Sequence, residues 1–331
     1  MLLLPLLKLR RPERLEDALA MLRDLGPDAR VIAGGTDVVP NMKQGLVEAR
    51  TLVSLQRIAE LFGIEATAST LRIGAMTTLD AVASDGRVRE LAPALAEAAA
   101  SVGGPHHRRM GTVGGNLCLD TRCRYYNQTH FWRSALGFCL KKDGTVCHVV
   151  AGGQKCVAAA SNDTAPALIA LDATIELASA EGTRAVAAHA FYTADGIRNT
   201  VREDHEIVTA ILLPHRPGRA SVFEKLRRRN AIDFPLLSVA ARVDGDDAAV
   251  DAVEVVVSAL AARPRRLTAA QKIPARTARS AELAERISAA ARKECKPLEN
   301  IEGDAEWRHE MVPVVVRRAL DRLGVSGRGG G

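Results

Sequence analysis

Five of the six cysteines in this 331-residue chain fall between positions 118 and 156. Packing alone gives cysteines no reason to gather in one stretch, because a free thiol in a core behaves as any small apolar group. Four of them, Cys123, Cys139, Cys147 and Cys156, follow the spacing C-x15-C-x7-C-x8-C. These four lack the short CxxC knuckles of zinc sites and the tight ligand runs of ferredoxins. The spacing therefore does not name a metal. Four thiols on one glycine-containing loop suit a soft-metal site, either zinc or an iron–sulfur cluster. Disulfides, or four unrelated buried cysteines, are the competing readings. A chain this long buries a large core without staples, and its start shows no signal peptide. Cys118 and Cys295 are left over and are expected to pack as small apolar side chains.

The flanks of this stretch carry a second pattern. GTVGGNL (111–117) precedes the cysteines and AASNDTAPALIALDATIEL (159–177) follows them. A glycine pair after a β-branched residue permits positive φ, and successive amides can form a nest for phosphate oxygens. A similar unit occurs earlier, in DARVIAGGTDVVP (28–40), where a short apolar run meets Gly34, Gly35, Thr36 and Asp37. It is neither GxGxxG nor a P-loop. One glycine pair is most often only a turn. Two such turns with threonine neighbours, together with the polar turn Ser161, Asn162, Asp163, suggest a pyrophosphate cradle.

The AGGTD turn, the GTVGGN turn and a downstream Asp before an apolar helix resemble the FAD-binding subunits of the molybdenum hydroxylase (xanthine dehydrogenase) family. In that family the second glycine motif runs within a few residues into the Asp turn. Here residues 118–158 intervene and carry the four cysteines. The insert resembles that of 4-hydroxybenzoyl-CoA reductase β subunits, where four such cysteines hold a 4Fe–4S cluster. The phrases GGNLCLDTRCRYYNQ and DFPLLSVAA are similar too, and the resemblance runs to about residue 325. It implies an α+β fold: a two-subdomain FAD-binding domain of the PCMH/VAO type, then a C-terminal α+β domain like that of CO dehydrogenase flavoproteins. Residues 1–58 and 59–216 would be the FAD subdomains, the second carrying the iron–sulfur insertion at about 118–158. Residues 217–325 would be the C-terminal domain and 326–331 a flexible tail.

The same resemblance assigns roles. Ile32, Ala33, Gly34, Gly35, Thr36, Asp37 and Val38 would form the first pyrophosphate and flavin loop. Thr112, Val113, Gly114, Gly115 and Asn116 would form the second. Asp163 would accept hydrogen bonds from FAD hydroxyls, although its SND triplet departs from the commoner Ser-Pro-x-x-Asp pattern. Lys225 would lie near the flavin edge; on the residues alone it reads equally as a surface charge beside Arg227–Arg229. Cys123, Cys139, Cys147 and Cys156 would ligate the 4Fe–4S cluster, and no residue of this chain would be catalytic. Partner chains would be a large molybdopterin subunit and a small 2Fe–2S subunit, in a heterotrimer that dimerises, with ferredoxin as electron donor. The complex would reductively dehydroxylate 4-hydroxybenzoyl-CoA to benzoyl-CoA. The rivals are an FAD subunit of a hydroxylase that oxidises another aromatic or heterocycle, and a structural zinc-binding subunit.

Along the chain, the apolar start (residues 1–9) is too short to span a membrane and lacks a basic n-region and a cleavage site, so a first strand and a cytoplasmic location are expected. Residues 12–25 read as a helix with Leu15, Ala18, Leu22 and Leu25 on one face. Residues 70–78 read as a strand leading to a helix capped by Thr78, and 93–102 as an alanine-rich helix. The His106–Arg109 run reads as a solvated basic surface. From residue 221 come strands, a loop at 263–266, and helices at 280–293 and 311–323. The net charge of +6 is mild, and no aromatic-plus-basic module points to nucleic acid.

Overall fold

The computed structural model describes residues 2–327. The end of the expected tail, 328–331, lies outside the described residues.

Three sheets organise the chain. The first is parallel, with Thr51–Ser54 between Lys8–Arg10 and Ala29–Ile32. All four residues of the central strand are buried, as a strand covered on both faces requires. Helix Leu15–Leu25 lays Ala18, Leu19 and Leu22 against this sheet. Leu25, expected on the same face, is instead exposed, at the end where Gly26 turns the chain with φ +53°. The apolar start pairs only at Lys8–Arg10, and Leu2, Leu3, Leu4 and Leu6 stay exposed.

The second sheet is antiparallel, in the order Ile64–Ala66, Thr70–Gly74, Ile207–Pro214, Thr174–Ser179, Gly182–Ala187. Thr78 caps helix Leu79–Ser84, its Oγ1 accepting from the Ala81 amide at 3.2 Å. Helix Pro93–Ala100 buries Ala94, Ala96, Ala98 and Ala99. Side chains this small let it approach helix Thr164–Ala170 and the third sheet closely.

The third sheet runs Arg265–Arg266, Ala249–Ser258, Leu237–Gly245, Arg219–Leu226, with Thr277–Ala278 added to Ala249–Ser258. Residues 263–266 are thus not all loop: Arg265 and Arg266 pair with Val257 and Val256. Helix Ala281–Glu294 begins at a Ser280 cap. Helix Ala305–Arg322 starts six residues before the expected position, because the Asp304 carboxylate accepts from the Trp307 amide. Its polar first turns hid it in the sequence, yet Arg308 there is fully buried.

The third unit is welded to the second. Phe223, Ala240 and Val256 share the second unit's core. Ser221 Oγ accepts from the Ala94 amide at 3.2 Å, and Glu97 accepts from the Phe223 amide at 2.8 Å. Arg219 and Arg242 converge on Asp172 and Asp244. No described helix is long and apolar enough to cross a membrane.

Candidate functional site

The two glycine loops, distant in sequence, form one rim. The first leaves strand Ala29–Ile32 and enters helix Val38–Lys43. Gly34 is pressed so close to the second loop that a Cβ would sit 1.8 Å from the Met110 carbonyl oxygen. Gly35 takes φ +74°, where a side chain is strained. A Cβ on Gly111 would lie 3.4 Å from Thr36 Oγ1, so the loops touch on both sides.

The second loop is not a turn of left-handed glycines. Thr112 caps a short helix, Val113–Leu117, its Oγ1 accepting from the Gly115 amide at 3.0 Å. Neither Gly114 nor Gly115 has positive φ. Gly114 is required by space instead: a Cβ would lie 2.7 Å from that of Ala75, whose carbonyl accepts the Gly114 amide at 2.9 Å. A Cβ on Gly115 would meet Thr112 Oγ1 at 3.1 Å, a contact that crowds the cap.

Behind the rim lies a buried polar network. Asn116 Oδ1 accepts from both the amide and the hydroxyl of Thr164, at 3.1 and 2.6 Å. Asn162 donates to the Leu117 carbonyl and the Tyr192 hydroxyl. Lys225, on strand Arg219–Leu226, reaches Asp163 Oδ2 at 2.7 Å and also donates to the Ser101 carbonyl. Its side chain is 3% exposed, which overturns the surface-charge reading. Burial pushes the Asp163 carboxyl up to about 6, with the Lys225 ammonium pulling the other way. Asp163 Oδ1 is buried and has no partner among the described residues. An orphaned acceptor of this kind costs on the order of 1–3 kcal/mol unless something donates to it. Such an acceptor fits a ligand hydroxyl, and with the positive-φ turn at Gly35 it makes the rim chemically suitable for a flavin dinucleotide.

Residues 118–158 sit beside this rim. Cys123, Cys139 and Cys156 are buried, Cys147 is half-buried, and all are free thiols. The four line one cavity together with Tyr125, Tyr126, Leu140, Lys141 and His148. Cys118, half-buried, and Cys295, buried, lie outside it. The Cys123 thiol is pushed up to about 11, by burial first and further by Cys156, Cys139 and Cys147, while the Tyr125 amide opposes the shift. The Ala158 amide points at Cys156 Sγ, 3.5 Å away. A donor set of four unpaired thiols, with backbone amides aimed at two of them, is chemically suited to an iron–sulfur cluster. Among the described residues, however, no three His, Cys, Asp or Glu side chains are gathered as the ligands of a metal ion would be.

Several residues that the spacing did not reveal tie insert and rim together. Arg122 pairs with Asp37 at 3.3 Å, and its guanidinium lies 3.9 Å from the Phe234 ring centroid. Desolvation raises the Asp37 carboxyl, with Arg122 opposing. Arg133, almost fully buried, donates to Asp143 and to the Gly45 carbonyl. The fully buried Asn300 holds both ends of the cysteine stretch: its backbone carbonyl accepts from the Arg124 amide at 2.7 Å and its side-chain Nδ2 donates to the Val157 carbonyl at 2.6 Å. A lone Asn far down the chain gives no sequence signal of that role.

Comparison with known proteins closes the assignment. Residues 7–216 match the family described as the FAD binding domain in molybdopterin dehydrogenase, and residues 221–323 match the CO dehydrogenase flavoprotein C-terminal domain. The chain is 29% identical over 313 residues to the carbon monoxide dehydrogenase medium chain of Afipia carboxidovorans, covering 94% of each. It is 32% identical over 254 residues to the aldehyde oxidoreductase FAD-binding subunit PaoB of Escherichia coli, covering 74% of this chain and 78% of that one. The solved structure of reconstituted CO dehydrogenase from Oligotropha carboxidovorans superimposes with a TM-score of 0.80 at 28% identity, covering 99% of this chain and 100% of the other. The chain belongs to the FAD-binding subunits of the molybdenum hydroxylase family.

Proposed function

We propose that this chain is an electron-transfer subunit carrying both FAD and a 4Fe–4S cluster, in a complex whose substrate chemistry lies on another chain. The observation that carries the cluster is the cavity shared by Cys123, Cys139, Cys147 and Cys156, inside an insert flanked by the two halves of the flavin site. FAD supplies the step between two-electron and one-electron chemistry, and a cluster passes single electrons. The chain's own part is to bind and tune. Residues 32–38 and 112–116 form the cradle rim, and Asp163 offers Oδ1 to a hydroxyl while Lys225 neutralises its other oxygen. The amides of Tyr125 and Ala158 stabilise thiolate sulfur at Cys123 and Cys156.

The partners are a large molybdopterin subunit and a small 2Fe–2S subunit, a reading supported by relatives named as medium chains and FAD-binding subunits. The insert favours a reductive complex of the 4-hydroxybenzoyl-CoA reductase type. There two electrons and two protons would replace the phenolic hydroxyl with hydrogen and release water, the electrons coming from a low-potential carrier such as ferredoxin. The second reading is an oxidative hydroxylase with the opposite electron flow; relatives named for carbon monoxide, xanthine and nicotine support it equally well on overall likeness. Co-purifying the partner chains and assaying the complex with 4-hydroxybenzoyl-CoA and a reduced donor separates the two. Benzoyl-CoA formation supports the reductive reading; oxidation of an aromatic or heterocyclic substrate with no thioester turnover rejects it. Iron without turnover by this chain alone is expected, since none of its residues is assigned to substrate.

A further inference from the structure

The insert carries six basic residues, Arg122, Arg124, Arg133, Lys141, Lys142 and Lys155, against two acidic ones, Asp120 and Asp143. Four of the six are neutralised by carboxylates that do not line the cysteine cavity: Arg122 by Asp37, Arg124 by Glu299, Arg133 by Asp143 and Lys142 by Glu48. Lys155 is exposed to solvent. Lys141 differs from all of them. Its side chain is 5% exposed and lines the cavity of the four cysteines.

An ammonium has three N–H donors. Those of Lys141 go to Asp120 Oδ1 at 2.8 Å, Thr121 Oγ1 at 2.9 Å and the Gly196 carbonyl. The charge also lies 4.8 Å from the Tyr126 ring centroid. With every donor used, the side chain cannot swing out to solvent or donate to a sulfur. It is a fixed point charge in the cavity wall. Gly196 anchors the same arrangement: its amide donates to the Cys156 carbonyl at 2.8 Å, and a Cβ there would lie 2.8 Å from Cys156 Sγ. No side chain can intervene between this backbone and the sulfur.

Two carboxylates, Asp120 and Asp195, oppose this charge from outside the cavity lining. Asp120 is 38% exposed, so water screens the anion more than the ammonium. Asp195 accepts from the Cys156 amide at 3.2 Å and from the Ile197 amide at 3.0 Å, so backbone amides already hold its carboxylate. Of these charged groups only Lys141 lines the cavity.

We propose that Lys141 is a positioning residue that sets the reduction potential of the cluster held by Cys123, Cys139, Cys147 and Cys156. The inference rests on the cluster reading above. Reduction adds one electron and no atoms, and a buried cation beside the ligand sulfurs stabilises that added charge, raising the potential. Lys141 passes its field through the Cys156 side of the cavity. The effect is to let a one-electron iron–sulfur donor fill this site readily, so that charge is held next to the flavin rim.

The test is an EPR-monitored potentiometric titration with dithionite on the purified full chain, with iron and sulfide measured alongside. Wild type is compared with Lys141→Met, Lys141→Arg and Asp120→Asn. The expected result is a more negative midpoint in Lys141→Met, a midpoint near wild type in Lys141→Arg, and a more positive one in Asp120→Asn, which removes the anion and leaves the cation. Asp120→Asn keeps the test alive if Lys141→Met fails to fold. Unchanged potentials, or shifts of the same sign in Lys141→Met and Asp120→Asn, overturn the assignment. Loss of iron in Lys141→Met with no shift in Asp120→Asn also overturns it, reducing Lys141 to a structural lysine. Wild-type protein without iron removes the cluster reading and this inference with it, whereas four irons with unshifted potentials remove this inference alone.

Discussion

The flavin rim and the cysteine insert lie side by side but are built on opposite principles. The rim is complete in itself: Gly34 against Met110, Gly114 against Ala75, and Asn116 on Thr164 are contacts of the chain with its own backbone and side chains. Among the described residues two buried acceptors there, Asn162 Oδ1 and Asp163 Oδ1, are left without a partner. The insert places four thiols around one cavity, and among the described residues no three are drawn together as metal ligands. On the reading proposed above, a rim packed on itself needs no cofactor for its order, whereas a metal-holding loop depends on its metal.

The largest effect expected of that difference is at Gly34. Gly34→Val places carbon against the Met110 carbonyl and should cost more than about 3 kcal/mol, with loss of bound flavin. Thermal melting and flavin absorbance on the purified variant check this; normal melting with full flavin would dissolve the idea of a self-packed rim. Gly115→Val should be milder, since Gly115 has no positive φ and crowds only Thr112.

Next come the thiols. Cys123→Ser, Cys139→Ser, Cys147→Ser and Cys156→Ser should each lower iron content while leaving much of the flavin in place, because rim and insert are finished separately. Cys118→Ser and Cys295→Ser should keep the iron. Loss of flavin in step with iron across the four variants would show the two regions to be one unit.

A smaller effect is expected from pH. The folded Asp163 carboxyl, at about 6, lies above the ordinary value near 3.9. In flavin-free protein its contribution to stability is therefore full below about pH 4 and is lost as pH rises through about 6, on the order of 3 kcal/mol in all. A hydroxyl donating to Oδ1 favours the charged form, so flavin retention should weaken as pH falls through about 6. Flavin release followed from pH 8 to 5 checks the sign, and Asp163→Asn should flatten the profile.

The smallest effect is at Asn300. Asn300→Ala removes the side-chain donor to Val157 and should cost about 2 kcal/mol. The iron should leave faster to a chelator, with little change in flavin release. Equal acceleration of both would place Asn300 in the general scaffold rather than on the insert.

How much of this was legible follows from the same contrast. The AGGTD turn was readable because Gly35 needs its positive φ locally. GTVGGN misled in detail: its glycines answer to the nearby Ala75 and to the Thr112 cap, neither visible in a turn pattern. The Asp163–Lys225 pair joins residues 62 apart and depends on how the third sheet docks on helix Pro93–Ala100, which no spacing encodes. Cysteine clustering survives any fold and so was plain. Lys141 and Asn300 act through tertiary contacts and left no trace in the sequence. The helix at Ala305–Arg322 was shortened in reading because its buried Arg308 looks like one more surface charge.

The central claim is that the insert holds an iron–sulfur cluster beside the flavin. The most direct test is metal and acid-labile sulfide content of the anaerobically purified chain, with EPR after reduction. The account predicts about four irons and four sulfides per chain and a reduced-cluster signal. One zinc per chain with no sulfide, or no metal in chain that retains its flavin, would contradict it.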